Sequence, residues 1–207
     1  MKYFAPFLLA IAASMGCVSD CHENGAVVLQ YKRLFEVGRL AEYEGNVKIA
    51  EDTYGWLIRC GSHYGEYGLA MLLLRLYPER KEDAVRHFLA CAKRSGYMFD
   101  SSPDTAMDSA FSAAAMAKLS DIAVSEYGRF DVADSLRCML SRIVTDEVKA
   151  WVEVMRSNVD SATIYEDIIS AVESNGQVCG CVKVLKWDEI SMTLLNGKPQ
   201  RAEGLAK

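Results

Sequence analysis

The stretch LFEVGRLAEYEGNVKIAEDTYGWL, residues 34–57, has the pattern of two amphipathic helices joined by a tight turn. Apolar residues recur at helical spacing on both sides of the turn, which is expected when one face of each helix packs inward. Gly45 and Asn46 separate the two runs, and these residue types are typical of a helix C-terminus and a helix N-terminus. The stretch therefore predicts an antiparallel pair of helices.

The turn and the helix after it recur along the chain. Residues 45–50 and residues 128–133 share the pattern glycine, any residue, apolar, two residues, alanine. A copy without the glycine follows the sequence PERKED and places Ala84 34 residues after Ala50. Ala133 lies 49 residues beyond Ala84, which is 34 plus 15 and leaves room for a longer connection. We interpret these copies as one structural unit used repeatedly.

This pattern resembles the tetratricopeptide class of helix-turn-helix repeats, whose units are about 34 residues long. Residues 67–96, YGLAMLLLRLYPERKEDAVRHFLACAKRSG, look more like its Sel-one-like branch, and the whole resemblance covers roughly residues 30–142. It implies an all-α fold in which antiparallel helix pairs stack into an α-solenoid over residues 26–176. Gly38 and Ala70 would face Ala50 and Ala84 where paired helices approach closely. An irregular helical bundle is the alternative.

The C-terminal extension, residues 177–207, has a different composition. Its segment VCGCVKVLKWDEISMTLLNGKPQ, residues 178–200, is rich in β-branched residues and contains the turn signal Asn196-Gly197. We expect a small β-hairpin over roughly residues 181–195, with a short amphipathic helix as the alternative.

The first 16 residues have the outline of a secretory signal peptide: Lys2, an apolar run to Ala13, then small residues. The sequence SMGC at residues 14–17 resembles a bacterial lipoprotein signal, which implies acylation of Cys17 and a short tether over residues 17–25. The expected location is the cell envelope, on the periplasmic side, anchored in the outer membrane through the lipid. A soluble exported protein and a buried N-terminal helix are the alternatives.

Charge and motifs exclude several functions. The chain has 23 basic and 28 acidic residues, and without residues 1–16, which contain only Lys2, the balance is 22 − 28 = −6. There is no basic stripe, so we expect no nucleic-acid partner. The three histidines and seven cysteines show no paired zinc-ligand spacing. We predict no metal, no cofactor and no catalytic site, and we interpret Cys91 and Cys138 as free buried thiols.

The candidate binding surface lies on the first helices of the predicted pairs, which line a concave groove in repeats of the resembled class. Tyrosine, methionine and arginine are enriched at protein interfaces, and the candidates that share these helix faces are Lys32, Arg39, Tyr43, Tyr67, Met71 and Arg75. Tyr67 and Met71 could equally be core residues. The predicted function is a protein- or peptide-binding scaffold, with a passive structural lipoprotein or an unrecognised enzyme as alternatives.

Overall fold

A computed structural model describes residues 25–93, 105–175 and 184–197, and every regular element in these ranges is a helix. The leader, Cys17 and the tether up to residue 24 lie outside the described residues. A 3-10 turn, Pro78–Arg80, separates the third and fourth helices. The α-helices are α1 (Gly25–Tyr43), α2 (Val47–Arg59), α3 (His63–Leu76), α4 (Lys81–Lys93), α5 (Thr105–Tyr127), α6 (Phe130–Ile143), α7 (Asp146–Ser157), α8 (Val159–Ile164), α9 (Glu166–Asn175) and α10 (Trp187–Asn196).

Two glycines make the recurring turn possible. Gly45 and Gly128 have φ angles of 76° and 60°, a left-handed conformation that glycine adopts without a steric penalty. At the first turn, the Asn46 N–H donates to the Ala41 carbonyl over 2.8 Å, which satisfies a carbonyl at the end of α1. The predicted helix-turn-helix units at residues 34–57 and around residue 128 are therefore confirmed.

Helices α1, α2 and α3 approach one another closely because two glycines lie against the ring of Tyr54. The Tyr54 ring lies between Gly38 of α1 and Gly68 of α3, and a Cβ at either glycine would come within 2.5 and 2.4 Å of Tyr54 Cε1. Gly38 is thus at a close approach, as predicted, but the atoms nearest to it belong to Tyr54 rather than to the predicted Ala50, and Gly68 takes part as well. The alanines predicted at packing positions, Ala50, Ala70, Ala84 and Ala133, are all buried.

Successive helices pack against one another from α1 to α6, as expected for stacked helix pairs. The first helices of the pairs also contact each other, since α1 packs on α3 and α3 on α5. This helical-repeat-like arrangement leaves an inner face on α1, α3 and α5. Helix α9 packs against α5, and α8 against α1, so the chain returns to that inner face.

The predicted C-terminal β-hairpin is wrong, because residues 187–196 form the helix α10. Ile190 and Leu194, four residues apart, are fully buried, and this helical spacing outweighs the β-branched composition. The alternative of a short amphipathic helix is confirmed. The turn signal at Asn196-Gly197 ends this helix instead, with the Gly197 N–H donating to the Thr193 carbonyl over 3.0 Å. Residues 181–183 of the predicted hairpin lie outside the described part.

None of the helices in the described ranges is both long and apolar enough to cross a bilayer.

Candidate functional site

The six predicted interface residues differ in exposure. Two of them, Arg39 and Tyr67, have 6% and 0% exposed surface and thus offer almost nothing to a partner. Lys32 and Met71 are half-buried, while Tyr43 and Arg75 are exposed. Four of the six nevertheless belong to one polar cluster that extends along α3 between the end of α1 and the start of α9: Arg39, Tyr43, Tyr67 and Arg75.

Arg39 is at the centre of this cluster. Its Nε–H donates to the Ile164 carbonyl over 3.2 Å, and its Nη2 donates to Asp167 Oδ1 over 3.3 Å. Its Nη1 also lies 3.6 Å from Glu42 Oε2. The planar guanidinium thus serves three acceptors from two distant parts of the chain, which a lysine ammonium could not match in geometry.

Glu42 is the more deeply buried carboxylate, with only 2% of its side chain exposed. Its Oε1 accepts a hydrogen bond of 2.6 Å from the Tyr54 hydroxyl, and its Oε2 accepts one of 2.8 Å from Arg75 Nη2. A buried charge is tolerated only when it is paired and hydrogen-bonded, and Glu42 meets both conditions. It also connects the C-terminal ends of α1 and α3.

The other half of the cluster comes from residues 163–167, which join the end of α8 to the start of α9. Asp167 Oδ2 accepts a hydrogen bond of 3.0 Å from the Tyr67 hydroxyl, and the Tyr165 hydroxyl donates to Glu36 Oε1 over 3.0 Å. At the exposed edge, the Tyr43 hydroxyl donates to the Thr163 carbonyl over 2.8 Å. The predicted groove face is therefore covered by residues 163–167 of the same chain.

Burial and neighbouring carboxylates together hold Tyr54 and Tyr67 neutral. Burial and the Glu42 carboxylate raise the pKa of Tyr54, and burial and the Asp167 carboxylate raise the pKa of Tyr67. Burial alone would lower the pKa of Arg39, but Asp167 and Glu42 raise it above its ordinary value, so the guanidinium stays charged. The cluster is thus a fixed array of one buried cation, two carboxylates and neutral phenols.

These shifts predict a loss of stability at alkaline pH. Since the folded-state pKa of Tyr54 and Tyr67 lies above the ordinary 10.0, the unfolded chain releases these protons first. The stabilisation is complete below about pH 10 and is lost as the pH rises towards the folded-state values. Tyrosinate absorbance and circular dichroism, recorded together, should show these two phenols ionising only when the helices unfold. Ionisation of all ten tyrosines before any loss of helix would contradict this.

The tyrosine-rich core extends to a second group of polar side chains around Asp108. Asp108 Oδ1 accepts a hydrogen bond of 2.5 Å from the Tyr64 hydroxyl and lies 3.2 Å from His63 Nε2. The Ser62 hydroxyl is buried and makes no hydrogen bond among the described residues. Serine, histidine and aspartate are thus near one another, but the serine–histidine hydrogen bond that would activate a nucleophile is not formed.

The cysteines correct one prediction. Cys138 is disulfide-bonded, so the prediction of a free thiol there is wrong. The helical pattern around it indicated burial correctly, but burial does not distinguish a thiol from a disulfide. Cys91 is buried, as predicted. Within residues 25–93, 105–175 and 184–197, no three potential metal ligands come together.

Sequence reasoning missed Glu42, Tyr54 and Asp167 as members of the cluster. Glu42 follows Arg39 by three residues on one helix, and this spacing was the one available signal of an ion pair. Asp167 is more than 120 residues from Arg39, and no local pattern predicts that contact.

No protein-family model matches this sequence, and similarity searches against curated proteins and solved structures found no match either. The resemblance to tetratricopeptide and Sel-one-like repeats therefore stays a prediction, and functional inference depends on the geometry above.

Proposed function

We propose that this chain is an exported helical-repeat protein, anchored in the cell envelope through an acylated Cys17, that binds a protein or peptide partner. The stacked arrangement of α1 to α6 supports a scaffold role, because stacked helix pairs present extended surfaces to partners.

A group of exposed side chains at the C-terminal ends of α1 and α3 carries this proposal. We define this rim as Leu40, Tyr43, Arg75 and Leu76. Leu40 and Tyr43 are 41% and 50% exposed, and Leu76 is 39% exposed. The bond from Arg75 to Glu42 brings the two helix ends together. Tyrosine and arginine, as at Tyr43 and Arg75, are enriched among the residues that dominate binding interfaces.

The rim is also held in place before any partner arrives. Tyr43 is anchored by its bond to the Thr163 carbonyl and lies beside Arg39, whose Cζ is 5.7 Å from the ring centroid. Arg75 is anchored on a buried carboxylate. Side chains that are already ordered lose less conformational entropy on binding, which favours affinity.

The rim predicts a defined loss of binding. In a crosslinking pull-down from membranes, the double variant Tyr43→Ser/Arg75→Ala should recover at least about tenfold less of the partner, since interface tyrosine and arginine residues are frequent hot spots. Arg86→Ala is the matched control, because Arg86 is exposed on α4 and pairs with Glu82 on its own helix. Equal recovery of the partner by the wild type, the double variant and Arg86→Ala would refute binding at the rim. Recovery of no specific partner by any of them would favour a passive structural role.

Export and anchoring have a separate test. A disulfide at Cys138 suits an oxidising compartment, which supports export. In cells fed a labelled fatty acid, the wild-type chain should be labelled and Cys17→Ser should not. Ser14→Ala, which keeps the cysteine, is the control and should remain labelled. Equal labelling of the wild type and Cys17→Ser would rule out acylation at this cysteine.

A further inference from the structure

The inner face of the array forms a groove that a later part of the same chain fills. We define this groove as Phe35, Glu36, Arg39, Tyr67 and Phe111, which come from α1, α3 and α5. The segment that fills it includes α8 and α9. The Tyr165 ring stacks on Phe35 with centroids 5.7 Å apart, and its edge meets Phe111 at 6.3 Å.

Two polar side chains of the segment are recognised individually. The Tyr165 hydroxyl donates to Glu36 at one side of the groove. Two residues later, Asp167 accepts hydrogen bonds from both Arg39 and Tyr67. All of these groups are at least partly buried, where an unmatched polar group would be costly. The groove therefore distinguishes a tyrosine and an aspartate from residues of similar size that lack their polar atoms.

Besides its bonds to Ile164 and Asp167, Arg39 also has a contact outside the segment that helps to position it. This contact is with Glu42, and Glu42 is held by Tyr54 and Arg75. All four residues belong to α1, α2 and α3. Such preorganisation is a property of binding sites, because the donor needs no reordering when the carboxylate arrives.

From these contacts we propose that the groove is a helix-binding site, and that residues 158–175 are its built-in ligand. It takes a segment of two short helices in which a tyrosine at the junction is followed, two residues later, by an aspartate near the start of the second helix, as Tyr165 and Asp167 are here. A partner with this pattern competes with residues 158–175 for the same contacts. The proposal rests on the protein-binding function above and names the kind of partner. The rim borders this groove, since Tyr43 is bonded to Thr163.

The test starts from the full-length folded protein and cuts the bonds that join residues 158–175 to the rest of the chain. Protease sites inserted before Asn158 and after Asn175 allow residues 158–175 to be cut free after folding. Insertion before Asn158 keeps the caps that its side chain provides to the N–H groups of Asp160 and Ser161. The probe is a dye-labelled peptide of residues 158–175, added to the cut protein and followed by fluorescence anisotropy.

We expect the cut protein to keep its helical circular dichroism and to exchange its segment for the labelled peptide in a saturable manner. The peptide variant Asp167→Asn should bind at least about tenfold more weakly, because it loses a charge-assisted bond to Arg39. The variant Glu166→Gln should bind like the wild type, since Glu166 is exposed.

Three results would overturn the proposal: collapse of the helical signal on cutting, no exchange of peptide, or equal binding of the wild-type and Asp167→Asn peptides.

This experiment uses no membrane partner. If it fails while the rim variants still lose a partner in the pull-down, the proposed function stands and the groove is a permanent part of the core. If instead the peptide exchanges and the rim variants recover the partner as well as the wild type does, the groove proposal stands and binding at the rim is refuted.

Discussion

Replacing Arg39 with methionine should lower the free energy of unfolding by about 3–5 kcal/mol, because removing one partner of a buried ion pair leaves an uncompensated charge. Arg39 shares its charge between two carboxylates, Glu42 and Asp167, whose side chains are only 2% and 15% exposed. Methionine keeps much of the volume and the helix propensity, so the change isolates the loss of the guanidinium. Urea unfolding followed by circular dichroism measures it.

A matched control distinguishes the loss of a buried arginine from the loss of an exposed one. Arg86→Met removes an exposed arginine that pairs with Glu82 one turn away, and we expect a change of no more than about 0.5 kcal/mol. Arg39→Lys should fall between the two, because an ammonium keeps the charge and loses the fork geometry. A loss below about 1 kcal/mol for Arg39→Met would show that the cluster contributes little to stability, against the expectation for buried pairs.

Gly68→Ala should destabilise the protein by about 1–3 kcal/mol through overpacking. The new methyl group would lie 2.4 Å from Cε1 and 2.6 Å from Cδ1 of Tyr54. The ring cannot retreat, since Gly38 lies on its other side and its hydroxyl is bonded to Glu42. The clash outweighs the gain of about 1 kcal/mol that alanine usually brings to a helix.

Gly55→Ala in α2 is the control for this helix propensity. Its nearest neighbour would be the flexible end of Arg59, 3.6 Å away, so we expect stability to rise by up to about 1 kcal/mol. In a Tyr54→Leu background the penalty for Gly68→Ala should shrink, because the two sites are in contact and therefore coupled. Equal effects of the two glycine substitutions in thermal unfolding would contradict the packing described here.

Local pattern was enough to predict the helix pairs. Gly45 and Gly128 mark turns that require a positive φ, and Ala50 and Ala133 are buried where helices meet. These features depend on residues near one another in sequence, where periodicity and turn chemistry act directly. The hairpin prediction is wrong because Ile190 and Leu194 bury one face of a helix, and this spacing outweighs the β-branched composition around them.

The candidate surface could be predicted only in part, for a related reason. Helical periodicity predicts which side chains share a face with Arg39 and with Tyr67, but it does not say what covers that face. Here Asp167 and the Ile164 carbonyl cover it, from more than 90 residues further along the chain. A tyrosine and an arginine on such a face look the same in sequence whether they meet a partner or the chain's own C-terminal helices.

The bonds from Arg39 to Ile164 and Asp167 span 125 and 128 residues, and they change how such an array should melt. In a linear stack each unit contacts only its neighbours, so terminal units can fray while the middle survives. Here the first helix is fastened to the ninth, which makes the described array a closed loop rather than an open stack. Fraying of α1 would also break the bonds that hold α9, so heating is expected to loosen α1 and α9 together rather than one after the other.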